Sequence, residues 1–115
     1  MADSPIRTKS FDFALKIIRL SNKLRQRREY VISDQLVRAG TSIGSNVEEA
    51  QAGQSRRDFL SKMAIASKEA RETKYWLRLI DQSRLAGLDV HEELDDAEEL
   101  IRILTAIVKS AGRAK

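Results

Sequence analysis

The chain has 115 residues, a formal net charge of +4, one histidine and no cysteine. This length is typical of one domain, and the absence of cysteine excludes disulfides, thiolate metal sites and thiol catalysis. No apolar run is long enough to cross a bilayer, and the N-terminus lacks the apolar stretch of a signal peptide. We therefore expect one soluble, cytoplasmic domain, residues 1–115, without a membrane partner.

Four segments carry apolar residues at spacings of three and four, the period of a helix face. The first covers about residues 10–25, and residues 1–9 before it are expected to be a loosely ordered extension. Its core stripe is predicted to be Phe13, Ile17, Leu20 and Leu24. A second apolar row on the same segment comprises Phe11, Leu15 and Ile18.

The second segment, about residues 30–52, contains Gly40 and Gly44, which each cost about 1 kcal/mol against alanine inside a helix. One interpretation is a loop that splits the segment. We favour a continuous helix, because Leu36, Ile43 and Val47 keep their phase across the glycines. The two glycines would then share one face, where another backbone could approach closely.

The third and fourth segments, about residues 56–85 and 90–111, have the clearest boundaries. Ser55 followed by Asp58 resembles a capping box, and Gly87 can adopt the left-handed conformation that closes a helix. Short connections make neighbouring helices antiparallel, so the prediction is an all-α, up-down-up-down four-helix bundle. Four side chains are expected to be nearly inaccessible in its core: Phe59, Leu77, Ile101 and Leu104.

Several apolar residues on the last two segments lie outside the stripe that one core requires. They are Ile65, Trp76 and Leu79 on the third segment, and Leu100, Ile103 and Ile107 on the fourth. Wide stripes could simply seat the helices deeply in a compact core. Because one row contains tryptophan, we favour an interface between copies of the chain.

The sequence offers no catalytic candidate, so we expect no enzyme, no cofactor and no metal site. The single histidine, His91, lies in the first turn of the last segment and is interpreted as a solvated surface residue. The paired acids fall largely on solvent-facing arcs, whereas catalytic carboxylates need a cleft. A phosphate-binding loop is excluded, because Gly40 and Gly44 lack the lysine and the preceding strand.

Basic residues are concentrated on the first and third segments. The first carries a predicted nucleic-acid-binding set: Lys16, Arg19, Lys23, Arg25, Arg27 and Arg28. The third adds Arg71, Lys74 and Arg78 on its polar arc. Phosphate binding is one interpretation. The other is that the basic first and third helices pair with acidic second and fourth helices, and no recognition motif decides between them.

The segment Gln-Leu-Val-Arg-Ala-Gly-Thr-Ser-Ile-Gly-Ser-Asn-Val-Glu-Glu-Ala at residues 35–50 resembles the hallmark of the four helix bundle protein family, whose members are encoded in intervening sequences of bacterial large-subunit rRNA genes. Residues 54–59 and 68–78 resemble the family's next helix. Many members have proline where this chain has Gly44.

The resemblance implies a four-helix bundle that forms homopentamers. It also implies a relation to the accessory variability determinant of diversity-generating retroelements, a basic pentamer that binds nucleic acid and reverse transcriptase. We therefore predict a non-enzymatic homo-oligomer, with a pentamer favoured over a dimer, that binds RNA or DNA non-specifically. The alternative is a scaffold that contacts another protein and has no role with nucleic acid.

Overall fold

A computed structural model describes residues 4–113 and contains four long helices. These are α1 (Pro5–Gln26), α2 (Tyr30–Gln51), α3 (Arg56–Ser83) and α4 (His91–Arg113), with a short 3₁₀ turn at Leu85–Gly87. No strand is present in this part of the chain. Consecutive helices pack side by side in a rod of 48 × 23 × 21 Å. The predicted all-α, up-down-up-down bundle is confirmed.

The first helix begins earlier than the sequence indicated. Proline is favoured at the first helical position, because its missing N–H has no partner there and its φ angle already suits a helix. Pro5 occupies this position, and one residue later Ile6 is only 2 % exposed. The prediction of a loose extension is therefore wrong for residues 5–9, and residues 1–3 lie outside the described range.

The second helix continues through both glycines, as predicted, and they lie against α1. A Cβ atom on Gly40 would lie 2.7 Å from Cγ2 of Ile17, and one on Gly44 would lie 3.3 Å from the Ser10 carbonyl oxygen. At the far end of the same contact, Ser33 Oγ donates to the Ser21 carbonyl at 3.0 Å, and both serines are buried. Small residues thus allow α1 and α2 to pack closely along their whole length.

The core agrees with the predicted stripes except at Phe59 on α3 and in the rotation of α4. Leu77 and Leu104 are fully buried, as predicted, but Phe59 and Ile101 are only partly buried. Leu100 is 1 % exposed and belongs to the core. The fourth helix is rotated so that the row containing Leu100 and Leu104 faces the core, and Ile101 lies at its edge towards α3.

The ends of α3 show one predicted cap and one correction. Ser55 Oγ accepts a hydrogen bond from the Asp58 backbone N–H at 3.1 Å, which satisfies a free donor of the first turn. At the other end, the helix closes at Arg84 (φ 55°) and not at Gly87. None of the helices within residues 4–113 has the length and apolar character needed to cross a membrane.

Candidate nucleic-acid interface

The order of the helices creates four seams along the sides of the bundle. Both α1 and α3 pack between α2 and α4, and α1 and α4 are the least closely packed neighbours. Ion pairs across the seams decide which basic side chains remain available to a ligand. The pairing is therefore described seam by seam.

Lys16 is the most firmly held member of the basic set predicted on α1. Its Nζ lies 2.7 Å from Oδ2 of Asp96 and 2.6 Å from Oε2 of Glu92, both on α4. The hydrogen bond to Asp96, followed by the one to Glu92, raises the pKa of Lys16 above its usual range. Lys9 pairs in the same way with Glu99 at 3.2 Å. The α1/α4 seam thus neutralises part of the predicted basic row.

Two arginines at the end of α1 also have partners within the bundle. Arg25 lies 3.1 Å from the Asp34 carboxylate and stacks over the Tyr30 ring, with its guanidinium carbon 5.0 Å from the ring centroid. Arg27 donates a hydrogen bond to the backbone carbonyl of Ala86, which ties the α1–α2 turn to the α3–α4 connection.

The remaining members of the predicted set are Arg19, Lys23 and Arg28. All three are exposed, and within residues 4–113 none of them forms an ion pair. The structure thus separates the six predicted residues into three that have partners in the bundle and three that do not.

A second group of basic residues meets on the α3/α4 seam. Arg71 donates a hydrogen bond to Thr105 Oγ1 of α4 at 3.1 Å, which fixes the relative height of the two helices. Arg102 and Lys109 lie about one turn on either side of Thr105. We call the following five residues the α3/α4 basic face: Arg71, Lys74, Arg78, Arg102 and Lys109.

The cations of this face form no ion pairs within residues 4–113, and Glu98 lies one turn from Arg102. Lys74 is half-buried and its other four members are exposed. The sequence indicated the α3 residues as a polar arc, but Arg102 and Lys109 join them only through antiparallel packing.

The predicted oligomer-interface residues of α3 lie towards α2. Trp76 Nε1 donates to Oε2 of Glu72 at 3.1 Å, and Arg38 of α2 pairs with the same carboxylate. The hydrogen bond from Trp76, followed by the one from Arg38, lowers the pKa of Glu72. Leu79, 39 % exposed, lies one turn above Trp76. Trp76 and Leu79 form a small apolar patch at the α2/α3 seam, and Ile65, 38 % exposed, lies about three turns away on the same side of α3.

The three predicted interface residues of α4 lie in different places. Ile103 continues the row of Asp96 and Glu99, which pair with α1, so it lies on the side of the bundle opposite Trp76. Ile107 lines a surface depression with Arg56 and Phe59 of α3. The prediction for Leu100 is wrong, because its side chain is inside the bundle and presents almost no surface to a second copy.

His91 lies at the solvent-exposed start of α4. Its Nδ1 is 2.8 Å from Asp89 Oδ1, and its Nε2 is 3.7 Å from Asp81. The hydrogen bond to Asp89, followed by the charge of Asp81, raises the pKa of His91. The described residues contain no cluster of three or more histidine, cysteine or acidic side chains that could hold a metal ion.

Comparison with known proteins identifies the family. The family model described as 23S rRNA-intervening sequence protein matches residues 2–106. The chain belongs to this family. The family resemblance seen in the sequence is therefore confirmed.

A solved structure supports the same assignment for this family member. It is a protein of unknown function from the S23 ribosomal protein family of Bacteroides thetaiotaomicron, 39 % identical in sequence, with a TM-score of 0.85. The match covers 90 % of this chain and 98 % of the other. Among curated proteins, no relative matches the chain significantly.

Proposed function

We propose that this family member is a non-enzymatic, cytoplasmic, self-assembling bundle that binds nucleic acid without sequence preference, as an accessory factor. The main support for this proposal is the α3/α4 basic face, whose five cations form no ion pair with an acidic residue within residues 4–113. Lysine and arginine supply sequence-independent affinity for phosphates. The family's name refers to an intervening sequence of 23S rRNA, which fits an rRNA context for such binding.

Assembly into a ring is the proposed quaternary structure. Trp76 and Leu79 lie at the α2/α3 seam, and Ile103 lies on the opposite side of the bundle, in the row of Glu99. Contact between two different patches is heterologous, and a heterologous contact generates a closed ring when the rotation allows closure. A pentamer is favoured over a dimer on the family resemblance. Five copies of a chain of charge +4 would carry +20.

Light scattering at micromolar concentration tests the assembly. The pentamer should have a mass of about five times 13.0 kDa. Trp76→Glu should shift the mass towards that of one chain, because a carboxylate would be buried at the interface. Arg57→Glu, which introduces the same carboxylate on the exposed start of α3, is the control. A wild-type mass near 13.0 kDa would reject a stable oligomer.

Gel-shift titration tests nucleic-acid binding. At low salt the wild-type protein should retard duplex DNA and RNA with dissociation constants in the non-specific range of about 1–100 μM. Affinity should be the same for unrelated sequences and should fall steeply with salt, because bound phosphates release counterions. If tens of micromolar protein retard neither DNA nor RNA, nucleic-acid binding is rejected and the scaffold alternative replaces it.

The scaffold alternative has an observation of its own. Phe11, Leu15 and Ile18 form an outward-facing row on α1 and are 62, 38 and 42 % exposed. Contiguous apolar surface of this kind marks a protein-binding face more often than a nucleic-acid-binding one. Under this alternative, the wild-type protein should retard neither DNA nor RNA, and Phe11→Ser should abolish capture of a protein partner.

A further inference from the structure

The four seams of the bundle differ in how their basic side chains are paired. Across the α1/α2 seam Arg7 pairs with Glu48, across α2/α3 Lys62 pairs with Glu49, and across α1/α4 Lys16 pairs with two acids. Across α3/α4, no lysine or arginine in the described range forms an ion pair; His91 and Asp81 approach to 3.7 Å at the upper end only. Within residues 4–113, cations of two helices that form no ion pair thus meet only at this seam.

The dimensions of the α3/α4 basic face follow from helix geometry. Seven residues separate Arg71 from Arg78, and seven separate Arg102 from Lys109, so each row is about 10 Å long. The axes of packed helices lie about 8–10 Å apart. The hydrogen bond from Arg71 to Thr105 places these two residues at the same height, so the antiparallel rows are staggered. Arg102 lies between the levels of Arg71 and Arg78, and Lys109 lies about 6 Å beyond Arg71 on the other side. The five cations therefore occupy a patch about 17 Å long and about 10 Å wide, and Glu98 lies at the level of Arg78.

Duplex nucleic acid has phosphates along the whole length of this patch. A duplex carries one phosphate per about 1.7 Å of axis with both strands counted, or about ten phosphates in about 17 Å. The cations of the α3/α4 basic face can reach these phosphates without first breaking an ion pair. On the α1 side, Lys16 would have to leave Glu92 and Asp96, and Arg25 would have to leave Asp34. Only three members of the α1 set can bind phosphate without breaking an ion pair: Arg19, Lys23 and Arg28.

We propose that the phosphate backbone of nucleic acid binds the α3/α4 basic face and not the basic row of α1. This inference rests on the proposed function, since it requires that the protein binds nucleic acid. It assigns the contact to Arg71, Arg78 and Arg102, with Lys74 between Arg71 and Arg78 and with Lys109 at the end of the face next to Arg71. The ligand chemistry is a phosphodiester chain, which RNA and DNA share.

Two triple variants with the same change in net charge test the assignment. One is Arg71→Gln, Arg78→Gln and Arg102→Gln on the α3/α4 basic face. The matched control is Arg19→Gln, Lys23→Gln and Arg28→Gln, which removes the three exposed α1-side cations that form no ion pair. Binding of the full-length proteins to a duplex DNA, a duplex RNA and a single-stranded RNA is titrated from 50 to 200 mM salt. Circular dichroism verifies that both variants keep wild-type helix content.

Binding at the α3/α4 basic face and binding on the α1 side should change the salt dependence of the two triple variants in opposite ways. Loss of three phosphate contacts should reduce the slope of log affinity against log salt by about 2.7, so the loss of affinity between 50 and 200 mM becomes about 40-fold smaller. We expect this change in the α3/α4 variant and a nearly wild-type slope in the control. Equal changes in both variants, or a larger change in the control, would overturn the assignment. A wild-type protein that binds none of the three ligands would instead overturn the proposed function together with this site.

A second pair of variants tests the same assignment by a gain of affinity, because each variant removes a negative charge and keeps every cation. Glu98→Gln removes a negative charge at the edge of the α3/α4 basic face. Asp12→Asn removes one beside the α1 row, one turn before Lys16. Glu98→Gln should strengthen binding severalfold and Asp12→Asn should do so less. The reverse order would place the phosphates on α1, and the preference among the three ligands distinguishes RNA from DNA.

Discussion

Replacing Gly40 by alanine tests the close contact between α1 and α2. The new Cβ would lie 2.7 Å from Cγ2 and 3.0 Å from Cγ1 of Ile17, which is fully buried and branched at Cβ. Because Ile17 has little rotamer freedom in a helix, the helices must separate. Such overpacking costs about 1–3 kcal/mol, against a gain of up to about 1 kcal/mol in helix propensity. We expect a net destabilisation of about 1–2 kcal/mol.

Two other glycines provide the controls. A Cβ on Gly112, in the last turn of α4, has no neighbour within 4 Å, so Gly112→Ala should leave stability unchanged or raise it slightly. A Cβ on Gly44 would lie 3.3 Å from the Ser10 carbonyl oxygen, so Gly44→Ala should fall between the two. Stability is measured by urea unfolding at one fixed protein concentration, because assembly makes it depend on concentration.

A double variant distinguishes the contact from other causes. Ile17→Ala creates space where the Gly40→Ala methyl group must go, so the double variant should be more stable than the sum of the two single changes predicts. Additive effects, or a Gly40→Ala protein as stable as Gly112→Ala, would show that α1 and α2 do not pack at the described distance.

Three further changes probe the core, a helix cap and the histidine. Leu77→Ala should lower the free energy of unfolding by about 2–5 kcal/mol in urea titration, and Ile101→Ala by less, because Ile101 is partly exposed. Ser55→Ala removes the cap of α3 and should cost about 1 kcal/mol in the same titration. NMR titration should give His91 a pKa above 6.5, and Asp89→Asn should lower it. Since the folded pKa is raised, this stabilisation is present below the unfolded pKa and is lost as pH rises through the folded pKa.

The sequence predicted most of the fold because the local signals agree with the packing. The spacing of apolar residues gave four helices, and the continuous phase of Leu36, Ile43 and Val47 correctly favoured one helix through the glycines. The rotation of α4 was less predictable. Its apolar arc is wide enough to accept either Leu100 or Ile101 as the inner residue, and only packing against α1 and α3 chose Leu100.

The candidate site was harder to predict, because it depends on pairs of residues that lie far apart in the chain. The number of basic residues on α1 and α3 can be read from the sequence. Whether each is neutralised depends on the acid that the fold places beside it: Asp96 lies next to Lys16 although 80 positions separate them. Arg102 similarly joins Arg71 only because α3 and α4 run antiparallel at a fixed height.

The sequence by itself thus determined the helical class, the four segments, the continuity of α2 through its glycines and the family, since each is encoded in local spacing or in a contiguous motif. The tertiary structure decided which charges are paired, that Leu100 is buried, and that Trp76 and Ile103 lie on opposite sides of the bundle. The physical reason is the distance along the chain over which each interaction acts. Helix periodicity extends over a few residues, whereas an ion pair or a shared face depends on the position and rotation of helices that the chain connects only through its turns.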